Sequence, residues 1–242
     1  MSGTAVIVGA TGGIGSACAH ELAGRGWSLV LNGRREEALT GLADQLGARA
    51  VVGDCTVASE VEALFEGLER VDLLVHAAGV LRGSPLREQT NEVFEDVVQT
   101  NLVSAHLAIS QALPLMRAGS RIVLISSLAA TRPTRGLTAY SAAKAGVNAL
   151  AIALSAELES EGINVNLVSP GAVDTPMMEK SARAFGSLRA EDVAGVVGWL
   201  SSLEPRILVP DIFFRAPDRG PFSEMSGGGG TEGMAPSKPA DG

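Results

Sequence analysis

A chain of 242 residues that is 46% hydrophobic can bury one substantial core and reads as a single domain. Its net charge of -8, carried without any basic cluster, excludes a nucleic-acid surface, because phosphate binding needs concentrated Lys and Arg. No apolar run approaches the length of a membrane span, two cysteines (Cys18 and Cys55) make no disulfide framework, and no His and carboxylate groups stand at metal-ligand spacing, so no membrane, nucleic-acid or metal partner is expected.

The first element is a short, apolar, β-rich run over 4–8, which leaves no room for a signal peptide ahead of it, so a cytoplasmic protein is expected. It feeds directly into Gly9-Ala10-Thr11-Gly12-Gly13-Ile14-Gly15, and a helical segment over 16–24 follows. Strand, glycine loop and helix in that order describe a cradle for a nucleotide pyrophosphate: glycines let the backbone approach the anion, and the helix N-terminus offers unpaired N–H groups. The alternative is an ordinary glycine-rich turn, which the position directly after the first strand disfavours.

Further apolar runs follow over 28–31, 48–52, 73–76, 121–126 and 164–168, separated by longer helical stretches. This alternation predicts successive parallel strands in a doubly wound α/β sheet flanked by helices. Ligands of such sheets gather at the C-terminal strand ends, where Gly9, residues 32–34, Asp54, residues 76–79, Ser127 and Pro170 all fall. No internal repeat is visible.

The run Tyr140-Ser141-Ala142-Ala143-Lys144 sets a phenol and an ammonium four residues apart, hence on one helix face. A tyrosine hydroxyl ordinarily titrates near about 10, and a neighbouring cation lowers that by stabilising phenolate. Tyr140 is then a candidate proton donor or acceptor for an alcohol and ketone pair. Ser127, thirteen residues upstream, offers a hydroxyl to the same substrate oxygen. A Tyr and Lys at this spacing also occur as solvated surface pairs, so the pattern needs its companions.

Those companions are present. Gly9/Gly13/Gly15, the His76-Ala77-Ala78-Gly79 turn, Asn101, Ser127, Tyr140/Lys144 and Pro170-Gly171 together resemble the short-chain dehydrogenase/reductase family, in its order and at its separations, over roughly the first 200 residues. The resemblance implies a Rossmann-type fold and a nicotinamide cofactor. It implies that Gly9, Thr11, Gly13, Ile14 and Gly15 hold the phosphates, that Asp54 contacts the adenine amino group, and that Ala77, Ala78 and Gly79 turn over the ribose. His76 stands where the family has Asn and is read as structural. Pro170, Gly171, Val173 and Thr175 match the segment that holds the nicotinamide carboxamide.

At the end of the second strand, Leu31-Asn32-Gly33-Arg34-Arg35, Gly33 occupies the slot where a carboxylate would bind a ribose 2′-OH, and Arg34 offers a planar cation suited to phosphate. In the resembling family this goes with NADP, so NADP(H) is favoured over NAD(H). The competing reading pairs Arg34 and Arg35 with Glu36 or Glu37 at the start of an exposed helix. One departure is Gly12, where NADP-using members often carry a basic residue.

The mechanism implied by the resemblance gives four catalytic residues. Tyr140 protonates the developing alkoxide or, in reverse, acts as base; Ser127 steadies the oxygen; Lys144 favours phenolate and holds the ribose; Asn101 kinks its helix and anchors a water leading toward Lys144. Ser126 competes with Ser127, and the family's separation from the tyrosine favours Ser127. Together these imply a carbonyl reductase or alcohol dehydrogenase acting on a small to mid-sized substrate. The alternative is a cofactor-binding redox sensor or interaction scaffold without turnover, for which all four residues would not be required.

Beyond Thr175 a short stretch, 176–187, precedes a helix over 191–200, so the substrate lid is expected to be small, with Met177, Met178 and Phe185 as candidates for its inner face. The family's final strand with Gly-Gly near its end is missing, and 211–215 is expected to supply a seventh strand instead. The catalytic domain is taken as 1–215. From 216 onward Gly, Pro and Ser dominate, predicting a disordered tail. A homodimer or homotetramer is expected, with the small residues of the 140–158 helix allowing close contact.

Overall fold

The computed structural model of the protein describes residues 3–177 and 187–217. Along the chain it forms β1 (Thr4–Val8), α1 (Gly13–Gly24), β2 (Ser28–Gly33), α2 (Glu36–Leu46), β3 (Arg49–Val52), α3 (Ala58–Phe65), β4 (Leu73–His76) and α4 (Asn91–Val98). A π turn (Gln99–Val103) leads into α5 (Ser104–Ala112), followed by β5 (Arg121–Ile125), α6 (Thr138–Leu158), β6 (Asn164–Pro170), β7 (Val173–Asp174), β8 (Leu188–Arg189), α7 (Ala190–Ser201) and β9 (Asp211–Phe214).

Seven of these strands pair in the order β3-β2-β1-β4-β5-β6-β9, every pair parallel, while β7 and β8 form a separate two-stranded piece. The expected doubly wound parallel sheet is therefore the observed one. Its strands read as continuous apolar runs because both faces are covered. Alternate side chains serve opposite layers. Val6, Val8, Leu74, Ile122, Leu124, Val165 and Leu167 face α3, α5 and α6, where Val61, Leu64, Ile109 and Val147 meet them. Ala5, Ile7, Leu31, Leu73, Val75, Val123 and Val168 face α1, α2 and α7, against Leu22, Leu39, Val193 and Leu200. Cys18 and Cys55 are both buried and unbridged.

The chain reverses its direction of growth between β1 and β4, opening a crevice above the C-terminal strand ends. Two strands run further into this crevice than the apolar pattern suggested. β2 extends to Gly33 because Asn32 and Gly33 still pair with Val51 and Val52, and β6 extends to Pro170 because Ser169 and Pro170 pair with Phe213 and Phe214. Polar residues can thus continue a strand where a neighbour takes up their backbone groups. α1 begins at Gly13, three residues before the expected helix start, since the first-turn N–H groups need no intrahelical partner.

The seventh strand is β9, where the sequence placed it. Polar contacts seat it: the buried Arg121 guanidinium donates to Asn166 Oδ1 at 2.8 Å, Asn166 Nδ2 donates to the Val209 carbonyl, and Ser169 Oγ donates to Asp211 Oδ1 at 2.9 Å. Of the residues proposed for the lid, Met177 is exposed, and Met178 and Phe185 lie outside the described residues, as does the tail beyond 217.

Candidate active site

Close backbone approach explains the glycines of the first crossover. Gly9 follows β1 at φ 83°, a left-handed conformation, and a Cβ there would sit 2.6 Å from the Ala78 backbone. A Cβ on Gly15 would lie 2.2 Å from the Gly9 carbonyl oxygen, and one on Gly13 would lie 2.7 Å from Thr175 Cγ2. The Gly9 loop, the turn after β4 and the Thr175 segment are thereby packed together, as the sequence reading required. The N-terminus of α1 has no side-chain cap and no acidic residue in its first turn. It keeps the polarity that favours an anion. Ile14 packs back into the core beneath it.

Beside the glycine loop, buried Asn32 donates through Nδ2 to the Val51 and Gly53 carbonyls at 3.2 and 3.1 Å. This ties the end of β2 to the turn that carries Asp54. Asp54 Oδ1 accepts from the Thr56 backbone and hydroxyl at 2.9 and 2.8 Å, and Oδ2 lies 3.5 Å from Arg34 Nη1. Burial would raise the Asp54 carboxyl, but the bonds from Thr56 and the Arg34 cation outweigh it and hold the group below the usual carboxylate range. Arg35 Nη2 donates to the Thr11 carbonyl. A Cβ on Gly33 would press on the Thr11 side chain at 2.9 Å. Both arginines thus reach inward across the crevice edge and not along α2 toward Glu36 and Glu37.

Ser127, Tyr140 and Lys144 converge at the end of β5. Lys144 is only 4% exposed, and its Nζ donates to the Ile125 carbonyl at 2.8 Å while lying 5.9 Å from the centroid of the Tyr140 ring. Burial lowers the ammonium's pKa to about 8. The Tyr140 hydroxyl shifts the other way: burial raises it, and a hydrogen bond with the Ser127 side chain partly offsets that rise. This corrects the expectation that Lys144 holds the phenol down. The ammonium contacts a backbone carbonyl and the ring face, and burial sets the net direction of the Tyr140 shift. Ser127 caps the 3-10 turn at Leu128–Ala130, accepting from the Ala129 N–H at 3.2 Å, which directs its hydroxyl to this site. Ser126 is buried and bonded to Asn148 on α6, whereas Ser127 is the serine bonded to Tyr140.

Asn101 lies in the π turn between α4 and α5, the kink expected of it. Its Nδ2 donates to the Val80 and Val97 carbonyls, both at 2.9 Å, and its buried Oδ1 has no protein partner. A Cβ on Gly79 would sit 2.6 Å from that oxygen and 3.6 Å from Lys144 Nζ, so both groups border the same glycine. The remaining sequence candidates also collect at this end of the sheet. The Ala77 N–H donates to the Val8 carbonyl at 2.9 Å, Gly171 donates to Phe214 at 2.8 Å, and Val173 is buried on β7.

The geometry therefore sets a glycine loop with an uncapped helix N-terminus and the cluster of Ser127, Tyr140 and Lys144 on one crevice. A family model described as short chain dehydrogenase matches residues 3–184. The chain belongs to that family. The 3-oxoacyl-(acyl-carrier-protein) reductase FabG of Escherichia coli is 34% identical over 220 residues, which is 83% of this chain and 90% of that one. A crystal structure of a dehydrogenase/reductase from Sinorhizobium meliloti superimposes with a TM-score of 0.80 at 30% identity, covering 88% of this chain and 94% of the other. A blue fluorescent protein from a metagenomic library, in complex with NADPH, gives 0.81 at 28% identity over 87% and 95% of the two chains.

This short-chain dehydrogenase also contains a polar link that sequence reasoning did not find. His76 Nε2 lies 2.8 Å from Ser104 Oγ, which itself donates to the Thr100 carbonyl at 2.7 Å. Only a serine one turn after Thr100 hinted at it. Burial, aided by the Lys144 charge, lowers the His76 pKa to about 3 from its ordinary 6.5, so the folded ring stays neutral where the unfolded one charges.

The unfolded state thus binds more protons between the two values, and stability is complete above about pH 6.5 and is lost as pH falls toward 3. Replacing His76 by Gln removes that proton uptake. Between pH 6.5 and 5 the His76→Gln protein should lose about 2 kcal/mol less stability than the parent, measured by urea unfolding. Equal losses in the two proteins would mean that the folded imidazole charges freely.

Proposed function

We propose that this short-chain dehydrogenase is an NADP(H)-dependent oxidoreductase that interconverts a carbonyl and a secondary alcohol on a small to mid-sized substrate. The observation that carries the reading is the Tyr140 phenol, hydrogen-bonded to Ser127 and backed by the Lys144 ammonium 5.9 Å from its ring centroid, on the crevice that the glycine loop lines. The reductase name of the Escherichia coli relative and the NADPH in the metagenomic protein support it.

The residues present fit such a cofactor. The uncapped N-terminus of α1 with Gly9, Thr11, Gly13, Ile14 and Gly15 suits the pyrophosphate. Arg34, its side chain 62% exposed and held at the crevice edge by Asp54, suits a 2′-phosphate. Asp54 would take the adenine amino group, Ala77, Ala78 and Gly79 the ribose side, and Pro170, Gly171, Val173 and Thr175 the carboxamide. When bound, the nicotinamide supplies or takes up the hydride.

The chain's own residues handle the oxygen and its proton. Burial keeps the Tyr140 phenol protonated, so it is set to donate to a carbonyl oxygen as negative charge grows there. Ser127 donates a second hydrogen bond to the same oxygen and limits the charge that must build up. Lys144, charged below about pH 8, stabilises the phenolate left behind and offers its remaining donors to a ribose. The bare Asn101 Oδ1 beside it is the acceptor through which water returns the proton. A sensor without turnover would have no use for Ser127 and Tyr140 joined in this way.

Subunit pairing goes through α6, whose exposed positions Ala142, Ala145, Ala149, Ile152, Ala153 and Ala156 form an apolar face, Ile152 being 69% exposed. Two such faces can approach closely because alanine adds little bulk. Sedimentation should give a dimer or a larger even assembly, and a persistent monomer would remove this contact from the reading.

With NADPH and a panel of ketones, Tyr140→Phe should lose at least about a hundredfold in kcat while still binding NADPH. Undiminished turnover would remove Tyr140 from the chemistry, and absence of turnover in the parent despite tight NADPH binding would favour the sensor. Arg34→Ala should weaken NADPH by roughly tenfold or more and leave NADH nearly unchanged. Equal losses in binding titrations would defeat the 2′-phosphate assignment.

A further inference from the structure

His76 takes no part in the chemistry above, yet it is buried at the end of β4 and bonded to a residue that borders the π turn. We propose that His76 is a positioning residue for the acid–base cluster: its ring, hydrogen-bonded to Ser104, fixes the π turn so that Asn101 Oδ1 stays close to the Lys144 ammonium. This rests on the proton-donor role given to Tyr140.

Three observations carry the inference. The contacts are continuous, His76 Nε2 to Ser104 Oγ and Ser104 Oγ to the Thr100 carbonyl, at 2.8 and 2.7 Å. Thr100 immediately precedes Asn101, and both are buried in the Gln99–Val103 turn. A π turn leaves the helix ladder out of step, so an external bond to one of its carbonyls helps select that geometry over a regular helix. Finally, His76 and Gly79 leave the same strand end, and Gly79 is the glycine that borders both Asn101 Oδ1 and Lys144 Nζ. The histidine therefore fixes the turn from the strand that also sets the spacing it must meet.

The consequence falls on the ammonium. An amide oxygen close to an ammonium favours its charged form through its dipole. Should the turn relax, Asn101 Oδ1 moves and that support is lost.

Burial sets the Lys144 midpoint at about 8, well below that of an exposed lysine, so its ionisation can be followed without turnover by NMR of lysine labelled at its ε carbon. His76→Phe and Ser104→Ala cut the link from opposite ends. Each should lower the midpoint of Lys144 by about half a pH unit or more, the double variant should add little to either, and His76→Gln, which can still bond Ser104, should stay within about 0.2 unit of the parent. If the phenylalanine variant does not fold, Ser104→Ala carries the test. Unchanged midpoints in folded His76→Phe or Ser104→Ala would overturn the proposal, as would a His76→Gln shift equal to that of His76→Phe. Failure of the ketone panel bears on the proposed reaction, while this titration decides the positioning role separately.

Discussion

A buried cation organises this molecule. Lys144 brings an ammonium into a region where charge is expensive, and the surroundings must offset that cost without neutralising it outright. They do so with one backbone carbonyl, that of Ile125 at 2.8 Å, and with the face of the Tyr140 ring. Both come from elements that the sheet fixes: Ile125 is the last residue of β5, and α6 lies across that strand end. The core on either side of β5 is therefore also what holds the reactive end of the site. Weakened packing between α6 and the sheet would reach the ammonium before it reached most of the surface.

The same burial explains why the phenol behaves differently from what its neighbour alone suggests. A cation one helical turn away argues for a lowered tyrosine, and that argument is sound for a solvated pair. Here desolvation acts on both partners, driving the ammonium down to about 8 and the phenol up. Burial thus favours the uncharged form of each partner. Ser127 is the group that offsets the rise, so the serine has a part in setting the phenol's acidity.

What could be read from residues alone follows from how local each signal is. The strands were legible because each is a short apolar run covered on both faces, and β9 was legible even though its sequence departs from the family's ending. The Tyr140 and Lys144 pair was legible because helical spacing alone puts the two on one face. Positions that depend on a partner distant in sequence were not. Nothing near Arg34 announces that its guanidinium turns to Asp54 and not to Glu36, because that depends on how Asn32 ties β2 to the turn after β3. The His76 to Ser104 bond spans 28 residues and depends on a π turn, a geometry that no periodicity encodes.

Glycine supplies the coupling between the two halves of the crevice. The turn after β4 is pressed from one side by Gly9, whose missing Cβ would meet Ala78 at 2.6 Å, and from the other by Asn101 and Lys144, which close on Gly79 at 2.6 and 3.6 Å from its missing Cβ. Two adjacent residues thus touch the phosphate loop and the proton-handling cluster. Side chains at these positions would force those two parts away from each other, and no alternative rotamer could relieve the clash, because at Gly9 the obstacle is backbone. The short turn from Ala77 to Gly79 is consequently a spacer that sets the distance between the anion cradle and the acid. In the proposed reaction, that distance is what a hydride donor held in the first would span to reach a carbonyl at the second.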